Sequence, residues 1–322
     1  MLTGVDPVVD VQRLTKCYRF GHLGRRRVQA LDDLSFSVGR GEVFGFLGPN
    51  GSGKTTALKL ILGLIRADAG QITVLGLPHA DRRWRERAGY LPEHPYFYDY
   101  LTATEYLDYV GRLHGLTAAQ RRERTASLLD RLGLAHVAHV ALRRYSKGMV
   151  QRLGLAQALI HDPELVFLDE PMSGLDPLGR RLVREEILAL KRSGKTVFFS
   201  THILSDAEAL CDRVALVRTG RLVRCGRLDE ILNIDVARVE VLVAGLAAEA
   251  LDGLAVPPEA RHVMGERCRL EVSEEALGSL LTDLAHRGAR ILAVQPVRQS
   301  LEDFFFREMG AEEGARRWAL DD

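Results

Sequence analysis

The residues best able to do chemistry lie in one stretch, Gly48-Pro49-Asn50-Gly51-Ser52-Gly53-Lys54-Thr55-Thr56. Its spacing fits G-x-x-x-x-G-K-[ST], with Gly48, Gly53, Lys54 and Thr55 in the fixed positions. Glycines let the backbone curl until successive N–H groups converge on a phosphate, and a helix N-terminus behind them adds partial positive charge. Lys54 then reaches the terminal phosphates of a nucleotide, and the Thr55 hydroxyl serves Mg²⁺. Such chemistry also needs an acidic partner for the metal. Asp169 closes the apolar run Leu165-Val166-Phe167-Leu168, and Glu170 follows it, placed to orient or deprotonate a water.

Stepping outward, these side chains need strands and helices to hold them. Glu42 to Leu47 has the length of a buried strand, and Ala57 to Ile65 is apolar enough for a buried helix, so the glycine turn has its required context. Val8 to Tyr18, Val28 to Val38 and Gln71 to Leu75 read as strands, with a Gly- and Arg-rich loop from Phe20 to Arg27. From about Arg82 to Leu159 the pattern is mostly helical. Ser146 has the character of an N-cap before Val150 to Leu159, and Gly148 keeps the backbone open there, a second candidate anion-binding helix end. A helix from Leu178 to Arg192 stops at Gly194, and Lys195 to Ser200 is a further buried strand. Val214 to Val217, Thr219-Gly220 and Leu222-Val223 read as a closing hairpin. Strands alternating with helices predict an α/β fold with a largely parallel sheet covered on both faces.

Beyond about Asn233 the pattern becomes β, β, α, β: Val236 to Val243, Arg267 to Val272, Glu274 to His286 and Ile291 to Val297. The expected organisation is therefore a nucleotide-binding domain over residues 1–232, with a helical subdomain at about 90–160, and a small α+β domain over 233–322.

Composition narrows the partners. A net charge of +1 supplies no global field toward nucleic acid or anionic lipid. No apolar run approaches the roughly 20 residues a membrane-spanning helix needs, and Met1 to Asp10 lacks the apolar core of a signal peptide. Cys17, Cys211, Cys225 and Cys268 are dispersed, which fits a reduced cytosol better than disulfides or zinc. His136 and His139 have no further ligands near them in sequence, so a structural or surface role is expected.

In order along the chain, these motifs resemble the ATP-binding subunits of ABC transporters, over about residues 8–232. Gly48 to Thr55 is similar to Walker A, and Gly89-Tyr90-Leu91-Pro92-Glu93 lies where the Q-loop does. Ser146-Lys147-Gly148-Met149-Val150-Gln151-Arg152 resembles the signature motif, and Leu165 to Glu170 resembles Walker B. Ser173-Gly174-Leu175-Asp176 matches the D-loop, and Thr201-His202 the H-loop. The resemblance implies a P-loop ATPase core that binds ATP and Mg²⁺. Tyr18 would stack on adenine, Lys54 would hold phosphates, and Thr55 and Asp169 would serve the metal. Glu170 would serve the water and His202 the γ-phosphate. It also implies a head-to-tail homodimer in which Ser146 and Gly148 cap the ATP of the other chain and Asp176 lies at the nucleotide.

Two departures stand out. Glu93 replaces the usual glutamine and would add a carboxylate to the metal shell, and Ser146-Lys147-Gly148-Met149 replaces the commoner LSGGQ form. Both look like the ABC-2 exporter branch, as does the C-terminal extension ending in Ser300-Leu301-Glu302-Asp303-Phe304-Phe305-Phe306, whose rings are expected to dock on their own domain. The implied protein is a cytoplasmic ATPase held at the inner face of the membrane by a separate permease. Nearer and farther rivals are an importer ATPase and a nucleic-acid or ribosome ATPase of the same class. Six of the eight tyrosines lie between Tyr90 and Tyr109. Tyr96, Phe97, Tyr98 and Tyr100 are expected at the permease contact, because amphipathic rings suit interfaces. Tyr106 and Tyr109, three apart on a helix, are expected in the core.

Overall fold

The computed structural model describes residues 7–20, 26–232, 239–245, 260–265 and 267–296, with isolated positions at 254, 256, 257, 301, 302 and 305. Strands β1 (Val9–Phe20), β2 (Arg26–Val38) and β3 (Val43–Leu47) lead into helix α1 (Lys54–Ile61). β4 (Ala69–Val74), the short β5 (Leu77–Pro78) and β6 (Ala88–Leu91) follow. Helices α2 (Ala103–Leu113), α3 (Ala118–Arg131) and α4 (Lys147–Leu159) come next, then β7 (Leu165–Asp169). α5 (Pro177–Arg192), β8 (Thr196–Thr201), α6 (Leu204–Leu210), β9 (Arg213–Arg218) and β10 (Arg221–Arg227) complete this part.

The central sheet has the order β10-β9-β3-β8-β7-β6. All its neighbours pair in parallel except β10, which returns antiparallel beside β9. The three inner strands β3, β8 and β7 are buried at every residue, as near-continuous apolar runs covered on both faces must be. Their pleat divides the core in two. Leu165, Phe167, Phe198, Phe44 and Phe46 face α1 and the antiparallel sheet β2-β1-β4-β5. Val166, Leu168, Val197 and Phe199 face the helices α2 to α5. On the first side Phe36, Phe44, Phe46, Phe167 and Phe198 form a ring cluster, with Phe36 and Phe46 centroids 5.2 Å apart. Each such buried ring is worth about 1.5–3 kcal/mol in area alone.

Local chemistry fixes the helix starts. Thr102 with Glu105, and Thr117 with Gln120, form reciprocal capping boxes before α2 and α3. Asp176 accepts from Gly179 N at 2.8 Å, and Pro177 opens α5. α5 then ends at Ser193-Gly194. The expectation of a mostly helical 82–159 is corrected at its beginning. Arg82–Arg87 is a 3-10 turn, and Ala88–Leu91 is the edge strand β6 of the central sheet.

The chain divides between Leu228 and Asp229, at the short α7 (Leu228–Ile231). The second unit contains β11 (Val239–Ala244), β12 (Arg261–Met264), β13 (Arg267–Val272), α8 (Glu274–His286) and β14 (Arg290–Pro296). Its antiparallel sheet runs β12-β13-β11-β14. Val241, Val243, Leu270 and Leu284 form its core. β12, absent from the sequence reading, makes a hairpin with β13. Leu301 and Phe305 are buried, whereas Phe304 and Phe306 lie outside the described residues, as do residues 21–25 of the Gly- and Arg-rich loop. The four cysteines are free thiols.

Candidate nucleotide site

The turn between β3 and α1 begins the site. Gly53 sits at φ 104°, where a side chain would be strained and its Cβ would stand 2.6 Å from Ala30 O. Ser52 O accepts from Gly220 N at 2.9 Å, so the β9–β10 turn braces the loop from behind. Lys54 Nζ donates to Gly48 O at 2.8 Å and to Pro49 O at 3.3 Å, and lies 3.5 Å from Glu170 Oε1. Burial lowers the Lys54 pKa, opposed by the charge of Glu170.

β7 ends in Asp169 with Glu170 next, and its parallel neighbour β8 brings Ser200 beside them. Asp169 Oδ1 lies 3.4 Å from Thr55 Oγ1 and accepts from Ser200 Oγ at 2.5 Å. Its second oxygen, Oδ2, is buried with no hydrogen-bond partner. Desolvation raises the Asp169 pKa. A hydroxyl and a buried, unsatisfied carboxylate oxygen form the hard, oxygen-only donor set that suits Mg²⁺. Glu93 is close enough for its charge to act on Lys54, Asp169 and His202.

Glu170 occupies a left-handed backbone conformation, φ 47°, uncommon for a residue with a side chain. Its N–H bonds Ser200 O and Ser200 Oγ, both at 3.2 Å, and its carbonyl accepts from Gln151 Nε2 at 3.4 Å. The carboxylate lies between Lys54 and His202, whose Nδ1 is 3.0 Å from Glu170 Oε2. That hydrogen bond raises the His202 pKa against the opposing effect of burial. Thr201 Oγ1 accepts from Ile203 N at 3.0 Å and fixes the turn carrying the imidazole.

The structure thus brings together Lys54, Thr55, Asp169, Glu170 and His202. Sequence reasoning missed two members, Ser200 and Gln151. Ser200 looks like one more residue of an apolar strand; Gln151 is an amide in a largely apolar helix, a signal that was there to be read. Among the described residues, Ser146, Gly148 and Asp176 make no hydrogen bond to this group. Ser146 caps its own helix through Met149 N at 3.3 Å, a Cβ at Gly148 would lie 3.4 Å from Leu175, and Asp176 caps α5. Tyr18 lines a cleft of about 720 Å³ with Thr15, Gln29 and Ile65, and Lys16 Nζ stands 5.7 Å over its ring.

Two aromatic expectations are corrected. Phe97 is 7% exposed and packs on Tyr106 with centroids 4.7 Å apart, so it is core and not interface. Its aromatic neighbours Tyr96, Tyr98 and Tyr100 are 92%, 52% and 67% exposed. Tyr106 is buried and bonds Gln157 Oε1 at 2.6 Å, whereas Tyr109 stays exposed beside Tyr98. The start of this segment rests on α4 through a glycine. A Cβ at Gly154 would stand 2.6 Å from Leu91 Cδ1 and 3.1 Å from Pro95.

A glycine loop at a helix start, a strand-borne Asp-Glu pair and a parallel sheet define a P-loop ATPase. Residues 31–173 match the ABC transporter family. An uncharacterized ABC transporter ATP-binding protein of Synechocystis is 48% identical over 94% of this chain and 84% of its own length. The Nod factor export ATP-binding protein I of Ralstonia nicotianae is 36% identical over 96% of each chain. The solved structure of an ATP-binding subunit of an ABC transporter superposes with a TM-score of 0.62 at 34% identity, over 70% of this chain and 91% of that one. The chain belongs to the ABC transporter ATP-binding proteins, and it is the ATPase subunit of a transporter.

Proposed function

We propose that this chain powers export through a separate membrane permease, working with Mg²⁺ as a head-to-tail dimer that closes on two ATP molecules. One observation carries the chemistry: a single carboxylate, Glu170, is held between a phosphate-loop lysine and a histidine. Lys54 binds the β- and γ-phosphates and draws off their charge, while the loop N–H groups orient them. Thr55, Asp169 and Glu93 would hold the metal, which when bound neutralises charge on the transferring phosphate. Glu170 accepts the proton of the attacking water, and His202 orients Glu170 and the γ-phosphate. Tyr18 stacks on the base.

In the dimer, Ser146, Gly148 and Asp176 would act on the partner's nucleotide, which fits Ser146 and Asp176 capping their own helices in place of hydrogen bonds to the Lys54 group. Export is supported by the export-named relative and by the carboxylate at Glu93. Among the described residues no helix is long and apolar enough to cross a membrane. In this reading a separate permease would hold the subunit at the cytoplasmic face of the membrane. Tyr96, Tyr98 and Tyr100 are its proposed contact. The ATPase domain runs to about Leu228, and the small unit that begins at Asp229 is appended to it.

The test is Glu170→Gln. It should bind ATP with the parent's affinity, lose at least about a hundredfold in turnover, and elute as an ATP-dependent dimer. Turnover near that of the parent would overturn the role of Glu170.

A further inference from the structure

The signature helix α4 touches the hydrolytic centre of its own chain. Gln151, 2% exposed, reaches from the second turn of α4 to the carbonyl of Glu170, 3.4 Å away. On the other side of the same residue, Ser200 O and Oγ accept from Glu170 N. The two contacts grip Glu170 by its N–H and its C=O, and Glu170 is one of the few non-glycine residues at positive φ, 47°. A backbone held in this region costs of order 1–3 kcal/mol and persists only where its surroundings over-determine it. Neither contact touches the carboxylate, so their effect is on where it points.

We infer that Gln151 is a positioning residue for hydrolysis: its amide holds the Glu170 peptide in the left-handed turn that aims the carboxylate between Lys54 and His202. This rests on the proposed role of Glu170 and adds a donor to it. It also gives α4 a task at each end of one turn. Ser146 and Gly148 belong to the start of the helix, and Gln151 lies one turn further on. Under the proposed dimer, a nucleotide gripped by the helix start in one site would set Glu170 in the other.

The predicted signature is a split between catalysis and binding. Gln151→Met keeps the buried volume and removes the donor. Its kcat should fall about tenfold or more while KM for ATP and the affinity for a fluorescent ATP analogue stay within threefold. In a Glu170→Gln background the same change should leave the ATP-dependent dimer intact, because binding does not use the Glu170 carbonyl. Gln151→Leu and Gln151→Glu are run beside it, and the comparison uses those variants that bind the analogue as the parent does. A kcat within twofold of the parent in such a variant overturns the inference, as does loss of nucleotide affinity in all three. Failure of the underlying reading looks different: there Glu170→Gln itself would turn over ATP.

Discussion

Lys54 Nζ and Glu170 Oε1 stand 3.5 Å apart, both almost wholly buried, one from the phosphate loop and the other from the end of β7. On the proposed roles, the residue that would grip phosphate and the residue that would serve water are each other's counter-charge. On that reading a phosphate arriving at Lys54 would compete with Glu170 for the ammonium and free the carboxylate. Lys54→Ala should weaken ATP binding by about tenfold to a hundredfold, the loss expected for a buried charge-assisted contact. Equilibrium binding of a fluorescent ATP analogue reads this directly. Unchanged affinity would remove Lys54 from the phosphate site.

Glu93 acts on the same group through its charge, raising the pKa of Asp169 together with burial, its largest cause, and with Glu170. Glu93→Gln should keep ATP affinity but raise the Mg²⁺ concentration for half-maximal turnover about fivefold, or roughly 1 kcal/mol, the scale of two unit charges about 4 Å apart in bulk water. Superimposable Mg²⁺ titrations would assign Glu93 to the loop alone.

His202 carries a pH dependence of definite sign. Its folded pKa is raised above 6.5, chiefly by the hydrogen bond to Glu170. The stability it adds is fully present below that unfolded value and lost as pH rises through the folded one. The gap in Tm between parent and His202→Ala should thus be wider near pH 6 than near pH 9. Calorimetry at the two pH values checks this, and a wider gap on the alkaline side would contradict it.

The aromatic segment separates two kinds of ring. The double variant Tyr98→Ala, Tyr100→Ala should reduce copurification with the permease and leave the ATPase activity and Tm of the isolated subunit as in the parent. Phe97→Ala should instead destabilise the subunit by about 3–5 kcal/mol, because it opens a cavity against Tyr106. Full copurification of the tyrosine variant would move the docking surface elsewhere.

Much of the site was legible because its parts are local. A glycine loop, an apolar run ending in Asp-Glu and a Pro-started, Gly-stopped helix each carry their signal within a few residues. What escaped depends on distant partners. β6 is a four-residue edge strand whose Gly89 lies against Ala158, where a Cβ would meet the carbonyl at 2.1 Å, so close approach and not strand propensity chose its residues. Phe97 stands in sequence among tyrosines and differs from them by one hydroxyl; its packing on the ring of Tyr106, set by the fold, makes it core. β12 is four residues long and mostly exposed, and its pairing with β13 defines it. Ser200 and Gln151 are ordinary residues until β7 sets Glu170 between them.

The bare Cα of Gly154 lets α4 lie directly on Leu91 and Pro95, which bracket Glu93. Nothing compressible separates the helix of the signature motif from the loop that leads to Tyr96. Two ligands that meet across such a contact obey reciprocity: whatever factor nucleotide adds to the affinity for the permease, the permease adds to the affinity for nucleotide. A larger residue at 154 would act as a spacer, weakening both exchanges by one common factor while leaving each ligand's own contacts unaltered.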